Sequence, residues 1–148
     1  KFTKIVRVIA TSPKESLLTA FERNEEQVNL IGYGRFTNVE THDFSCEGVL
    51  NTLKEIEKSG VPDQIQIFTR GKDIISPKLV YDSNKEKNEY NTAYETLIEY
   101  RKKNEEIING SVDKRVNELL NNRSVNVMEA EQRKKLMKKI GCKNYEKR

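Results

Sequence analysis

Acidic and basic side chains are what this sequence offers for chemistry. Glu40, Asp43, Glu47, Asp63, Asp73 and Asp113 are the carboxylates that could gather around divalent ions and activate water for phosphoryl transfer. Charged residues make up 34% of the chain, so acids scattered over the surface are the simpler reading of this set. His42 stands beside Asp43, a pair capable of acid–base work, yet a lone histidine in a polar segment is more often solvated or capping. It is the single histidine of the chain, so every triad or zinc site would have to share it. Cys46 and Cys142 lie far apart without a CxxC spacing and read as reduced thiols. Gly32-Tyr33-Gly34 leads into Arg-Phe-Thr and lacks the GxxxxGK pattern of a phosphate loop. No catalytic residue, metal site or cofactor is expected.

The cations give a clearer signal. Residues 131–148 hold eight basic side chains against two acidic ones, a surplus of six. The chain as a whole carries +4, so the remaining body is slightly acidic and the pI near 9.0 overstates its affinity for polyanions. Arg133, Lys134, Lys135, Lys138 and Lys139 cover much of one helix surface, with Leu136, Met137 and Ile140 on another. Such a helix could follow phosphates or dock its apolar side on a partner. Arg35, Arg70 and Lys72 are the body's candidates for the same nucleic-acid or partner surface. Tyr90, Tyr94 and Tyr100 fall near one helical face, which suits packing on a sheet better than base stacking.

The elements that must carry these groups follow from periodicity. Residues 2–11 are rich in β-branched side chains and read as a strand broken at Ser12-Pro13. Residues 17–21 and 28–36 read as two further strands, with Asn24-Glu25-Glu26 as a turn, giving an antiparallel meander. Ser45 is suited to cap a helix whose apolar residues are Val49, Leu50, Leu53 and Ile56, stopped at Gly60-Val61-Pro62. Residues 65–68 form a strand reached by that crossover, expected parallel to an earlier one. A short helix cut at Pro77, a helix over 90–106, another near 112–120, a strand or linker over 124–128 and a basic helix over 129–140 complete the chain.

Several strings resemble the ribonuclease H family in the same order. Gly32-Tyr33-Gly34-Arg35-Phe36-Thr37-Asn38 is similar to the end of that family's third strand. Residues 53–69 resemble its helix A and fourth strand, 91–103 its later amphipathic helix, and 112–119 its terminal motif. The resemblance implies an α/β ribonuclease H-like mixed sheet, a three-strand meander plus a parallel strand, flanked by helices. It implies a domain over 1–122 and a basic tail over 123–148. It also implies that most metal-binding carboxylates are missing. Thr11, Arg70 and Asn117 stand where aspartates belong, and Glu47 is the best surviving acid. A guanidinium ~4 Å from a divalent cation would be repelled by about 8 kcal/mol at an effective dielectric near 20.

The resulting expectation is a catalytically inactive binding protein, foremost a nucleic-acid-associated accessory factor. Its alternatives are a protein-interaction module such as an inhibitor, antagonist or complex subunit, and a divergent Mg²⁺-dependent nuclease with relocated acids. No run approaches the ~18 apolar residues of a membrane span. The sequence does not open on Met, and its first residues lack an apolar signal core. A cytoplasmic location is expected, and the Lys, Asn and Ile bias suggests an AT-rich coding genome such as that of a phage or low-GC bacterium.

Overall fold

A computed structural model describes residues 2–70, 77–121 and 130–140. In chain order the elements are β1 (Ile5–Ala10), α1 (Pro13–Ile31), α2 (Val39–Ser59), β2 (Gln64–Arg70), β3 (Pro77–Asp82), α3 (Ala93–Ile108), α4 (Val112–Asn121) and α5 (Ala130–Ile140). The protein is thus α/β, with a mixed three-stranded sheet in the order β1–β2–β3 and flanking helices. The chain divides into two compact units, residues 1–12 with 45–104 and residues 13–44 with 105–148. Within the second unit α5 shares a core with α1 and α4.

The first unit holds the sheet. β1 and β2 run parallel in the register Ile5↔Gln64 to Ala10↔Thr69, as the crossover through α2 leads one to expect. β3 returns antiparallel to β2. The short helix expected over 73–80 is replaced from Pro77 onward by this strand, with the proline at its first position, where a missing N–H is tolerated. Ala10, Ile65, Ile67 and Tyr81 from the sheet meet Leu53 of α2 and Ala93 and Leu97 of α3 in one core. Each fully buried leucine of this kind stabilises the fold by roughly 1.5–3 kcal/mol. Gly60, at φ +65°, ends α2 in the left-handed conformation that glycine adopts without strain.

Two polar clamps lock this unit. The Glu57 carboxylate of α2 accepts the N–H groups of Ala93 (2.6 Å) and Tyr94 (3.1 Å), satisfying donors at the start of α3. Near the other end of α3, Asn104 donates to the Ala10 carbonyl and shares hydrogen bonds with the Thr69 hydroxyl, tying the carboxyl ends of β1 and β2 together.

The second unit is helical. The expected strands over 17–21 and 28–36 are absent. Residues 13–31 form one helix, and the expected turn at Asn24-Glu25-Glu26 lies inside it. Pro13 opens the helix at a position that suits it, and Leu17, Leu18, Phe21 and Glu25 recur at helical spacing as a buried stripe. That spacing of three and four residues, not the β-branched content, decides the element. The antiparallel meander therefore does not form, and β1 pairs with β2 instead. Leu17, Leu18 and Phe21 pack with Val39, Val112, Val116, Leu119, Leu136, Met137 and Ile140.

α2 starts six residues before the expected Ser45. Asn38 caps it by accepting the Thr41 N–H at 2.9 Å. The Val39 N–H is taken by Gln132 of α5, also at 2.9 Å. No helix among the described residues is long and apolar enough to cross a membrane.

Candidate functional site

The connection between α1 and α2 is the part of the second unit built to present a side chain. α1 ends where Gly32 turns at φ +81°, its N–H bonded to the Val28 carbonyl at 2.9 Å. Gly34 then lies flush on the helix. A Cβ there would meet the Asn24 carbonyl and side-chain oxygens at 2.6 Å and Val28 Cγ2 at 3.2 Å. The Arg35 N–H donates to Gln27 Oε1 at 2.9 Å, and the Phe36 ring meets Phe21 edge-on with centroids 5.6 Å apart. These contacts fix the backbone on both sides of Arg35 and leave its guanidinium exposed, with no ion pair among the described residues. An exposed, always-charged fork on a fixed loop is suited to a planar anion such as a carboxylate or phosphate.

A groove of about 370 Å³ lies between α1 and α4 in the same unit. Its lining includes Glu22, Glu25, Glu26 and Glu118 against a single cation, Arg115. Arg115 is already committed, bonding Glu15 Oε2 and Glu22 Oε1 at 2.5 Å each. Burial works against its charge, but the bonds to Glu15 and Glu22 outweigh that and hold its pKa above the usual arginine value. The groove is therefore acidic and repels phosphate.

The expected binding residues belong to different units. Arg70 is the exposed last residue of β2, in the first unit, whereas Arg35 belongs to the second. Lys72 and the Arg133 side chain lie outside what is described. In α5, Leu136, Met137 and Ile140 are buried in the unit's own core, so the apolar side is used internally. Lys135 bonds Glu40, and Lys139 bonds Asp43 at 2.6 Å. Only Lys134 and Lys138 of the five basic helix residues stand exposed outside these pairs with described side chains. The Lys135 and Gln132 bonds hold the Glu40 carboxyl down at about 2. Burial raises the Asp43 pKa, but Lys139 and His42 outweigh it and the net shift is downward.

The acids do not assemble either. Glu40 and Asp43 are taken by α5, Asp63 accepts the Lys4 N–H at 2.7 Å, and Glu47 is exposed. Asp73 lies outside the described residues. Among the described residues no three His, Cys, Asp or Glu side chains form a metal-holding group. His42 is buried, with Nδ1 3.3 Å from Asp43 Oδ1.

Gly34, Gln27, Asn104 and Arg115 carry structure that the sequence reading missed. The Gly-Tyr-Gly string is the available signal for the first of these.

Comparison with known proteins overturns the ribonuclease H resemblance. The family model for Zeta toxin matches residues 2–86, more than half of the chain. A solved structure from the PezAT chromosomal toxin–antitoxin system of the human pathogen Streptococcus pneumoniae is similar over 79% of this chain, at 25% identity and a TM-score of 0.56. The chain spans only 44% of that structure's length. No curated protein matches. The string 32–38, read as the end of a third strand, is a helix exit and a loop, whereas 53–69 and 91–103 fall on the helix–strand and helix expected of them. The nucleic-acid accessory role and the relocated-acid nuclease fall with that resemblance. The chain belongs to the Zeta toxin family.

Proposed function

We propose that this chain works within a toxin–antitoxin system as part of a kinase-like toxin, with Arg35 contacting the phosphoryl group that is transferred or its acceptor. The observation that carries the reading is the Zeta toxin match over residues 2–86, a region that includes the Arg35 loop. The family is one of kinase-like enzymes, and the similar solved structure comes from a toxin–antitoxin system. Phosphoryl transfer is catalysed chiefly by positioned positive charge, and an arginine supplied in cis can serve as that charge. The pinned backbone around Arg35 meets the demand for positioning, since a fixed cation needs little reorganisation as charge develops. The sequence contains no GxxxxGK run, so residues 1–148 are assigned the cation and not the nucleotide-cradling loop. A protein antitoxin is the partner this reading implies.

The test uses the gene product that carries these residues, induced in a bacterial host with and without its cognate antitoxin. Growth arrest relieved by the antitoxin is expected. Arg35→Ala should lower phosphoryl transfer from labelled ATP by about 10²–10³-fold while leaving the thermal midpoint unchanged. Unaltered transfer and unaltered growth arrest in Arg35→Ala would sink the role given to this residue.

A further inference from the structure

We propose that Gln27 is a positioning residue for Arg35: its side-chain oxygen sets the peptide plane from which the guanidinium is presented, and so acts on phosphoryl transfer through that arginine. The inference rests on the role given to Arg35 above.

The loop folds back along the helix it leaves. The Gly32 N–H returns to the Val28 carbonyl, Gly34 lies against Asn24 and Val28, and the Phe36 ring meets Phe21. Phe21, Asn24 and Val28 recur at spacings of three and four, so one stripe of α1 is the bed on which the loop rests. Such packing fixes where the chain runs. It does not fix how the peptide between Gly34 and Arg35 is turned. The close approach to Asn24 excludes a Cβ at residue 34, and a residue without a Cβ has the least restrained dihedrals. The peptide plane just before Arg35 is therefore the loose point of a loop otherwise pinned by packing.

Gln27 restrains that point. Its Oε1 accepts the Arg35 N–H at 2.9 Å, from eight residues earlier in the chain. Three positions after Asn24 and one before Val28, it borders the same stripe of α1. The bond is exposed, so it adds little to stability. What it adds is direction. The amide it holds carries the Arg35 Cα, and turning that amide swings a guanidinium that stands several bonds further out. Catalysis by a placed charge is sensitive to such a swing, since a displacement of about 1 Å can cost on the order of 100-fold in rate. A glutamine oxygen suits this task, because it accepts the N–H without placing a carboxylate beside a cation meant for an anionic ligand.

The test uses the full gene product and three substitutions. Gln27→Met keeps the length of the side chain and removes the acceptor, Gln27→Glu keeps the acceptor, and Arg35→Ala removes the cation. In Gln27→Met the Arg35 amide is expected to exchange at least ~10-fold faster than in the parent. There kcat for transfer from ATP should fall about 10-fold and kcat/KM equally, with the thermal midpoint unchanged. In Gln27→Glu the Arg35 amide should stay slow. In an Arg35→Ala background Gln27→Met should cause no further loss, because Gln27 acts through the guanidinium. A loss of the same size in that background makes the role merely structural and overturns the proposal. So does an Arg35 amide that exchanges alike in Gln27→Met and the parent. The two readings fail separately. Fully active Arg35→Ala sinks the role of Arg35, whereas impaired Arg35→Ala beside fully active Gln27→Met keeps the arginine and sinks the role of Gln27.

Discussion

Gly34 lies so close to Asn24 that a Cβ would stand 2.6 Å from both oxygens of the asparagine, one of them backbone. The backbone oxygen belongs to a helix interior and cannot step aside, so the contact admits glycine alone. Gly34→Ala is expected to destabilise the protein by about 1–3 kcal/mol, the usual range for overpacking. It should also shift Arg35, and so lower phosphoryl transfer in the full gene product beyond what the stability loss explains. Urea unfolding together with transfer kinetics checks both. A variant as stable and as active as the parent would refute the contact.

Arg115 holds Glu15 and Glu22 in a partly buried fork. Arg115→Ala leaves two carboxylates facing each other without their cation. A fully buried pair broken this way would lose roughly 3–5 kcal/mol, and the partial exposure here brings the expectation to about 1–3 kcal/mol. Arg115→Lys should recover less than half, since an ammonium cannot bridge both acids in the same plane. Chemical denaturation of the two variants, compared with Glu15→Gln, measures the coupling.

Acid should loosen α5. The folded-state pKa of Glu40 is held at about 2 by Lys135 and Gln132, and that of Asp43 is also lowered, against ordinary values of 4.5 and 3.8. A depressed carboxyl contributes stability that is fully present above the unfolded pKa and is lost as pH falls through the folded one. The α2–α5 link is therefore intact above about pH 4.5 and fails on approach to pH 2. Carboxyl titration by NMR should put the Glu40 midpoint near 2, and Lys135→Ala should raise it. Because the pair is exposed, added salt should raise it as well. A midpoint at the ordinary glutamate value in the unaltered protein would exclude the pairing.

Asn104 makes a different kind of prediction, because its amide both donates to the Ala10 carbonyl and bonds the Thr69 hydroxyl. Asn104→Ala leaves those groups without this partner and is expected to cost about 1–3 kcal/mol. Asn104→Asp should be no better at neutral pH, since a carboxylate cannot donate to the Ala10 carbonyl. Thermal unfolding of both variants distinguishes this from simple loss of packing.

How much of this was legible in the sequence depended on the range of the interaction. β1, the crossover through α2 and the parallel β2 could be read, because a β-branched run, a helical stripe and a Gly-Val-Pro stop are all local signals. α1 was misread as two strands and a turn, since Leu17-Leu18 and Val28 favour either element and the burial of Asn24 and Glu25 cannot be seen in composition. The basic run of α5 reads as a surface for phosphate because its acidic partners, Glu40 and Asp43, lie 95 and 96 residues before Lys135 and Lys139. Arg35 was singled out as a cation, but the Gln27, Asn24 and Phe21 contacts that fix its loop exist only after α1 has formed.

The interleaving of the two units has a consequence for cooperativity. The chain passes from one to the other after Ser12, after Phe44 and after Asn104, and the last two passages fall inside α2 and α3. A helix frays from its ends, so melting the opening turn of α2 removes footing from the stretch that follows it. A single cut cannot release either half as a contiguous fragment. Calorimetry should accordingly record one transition, not two.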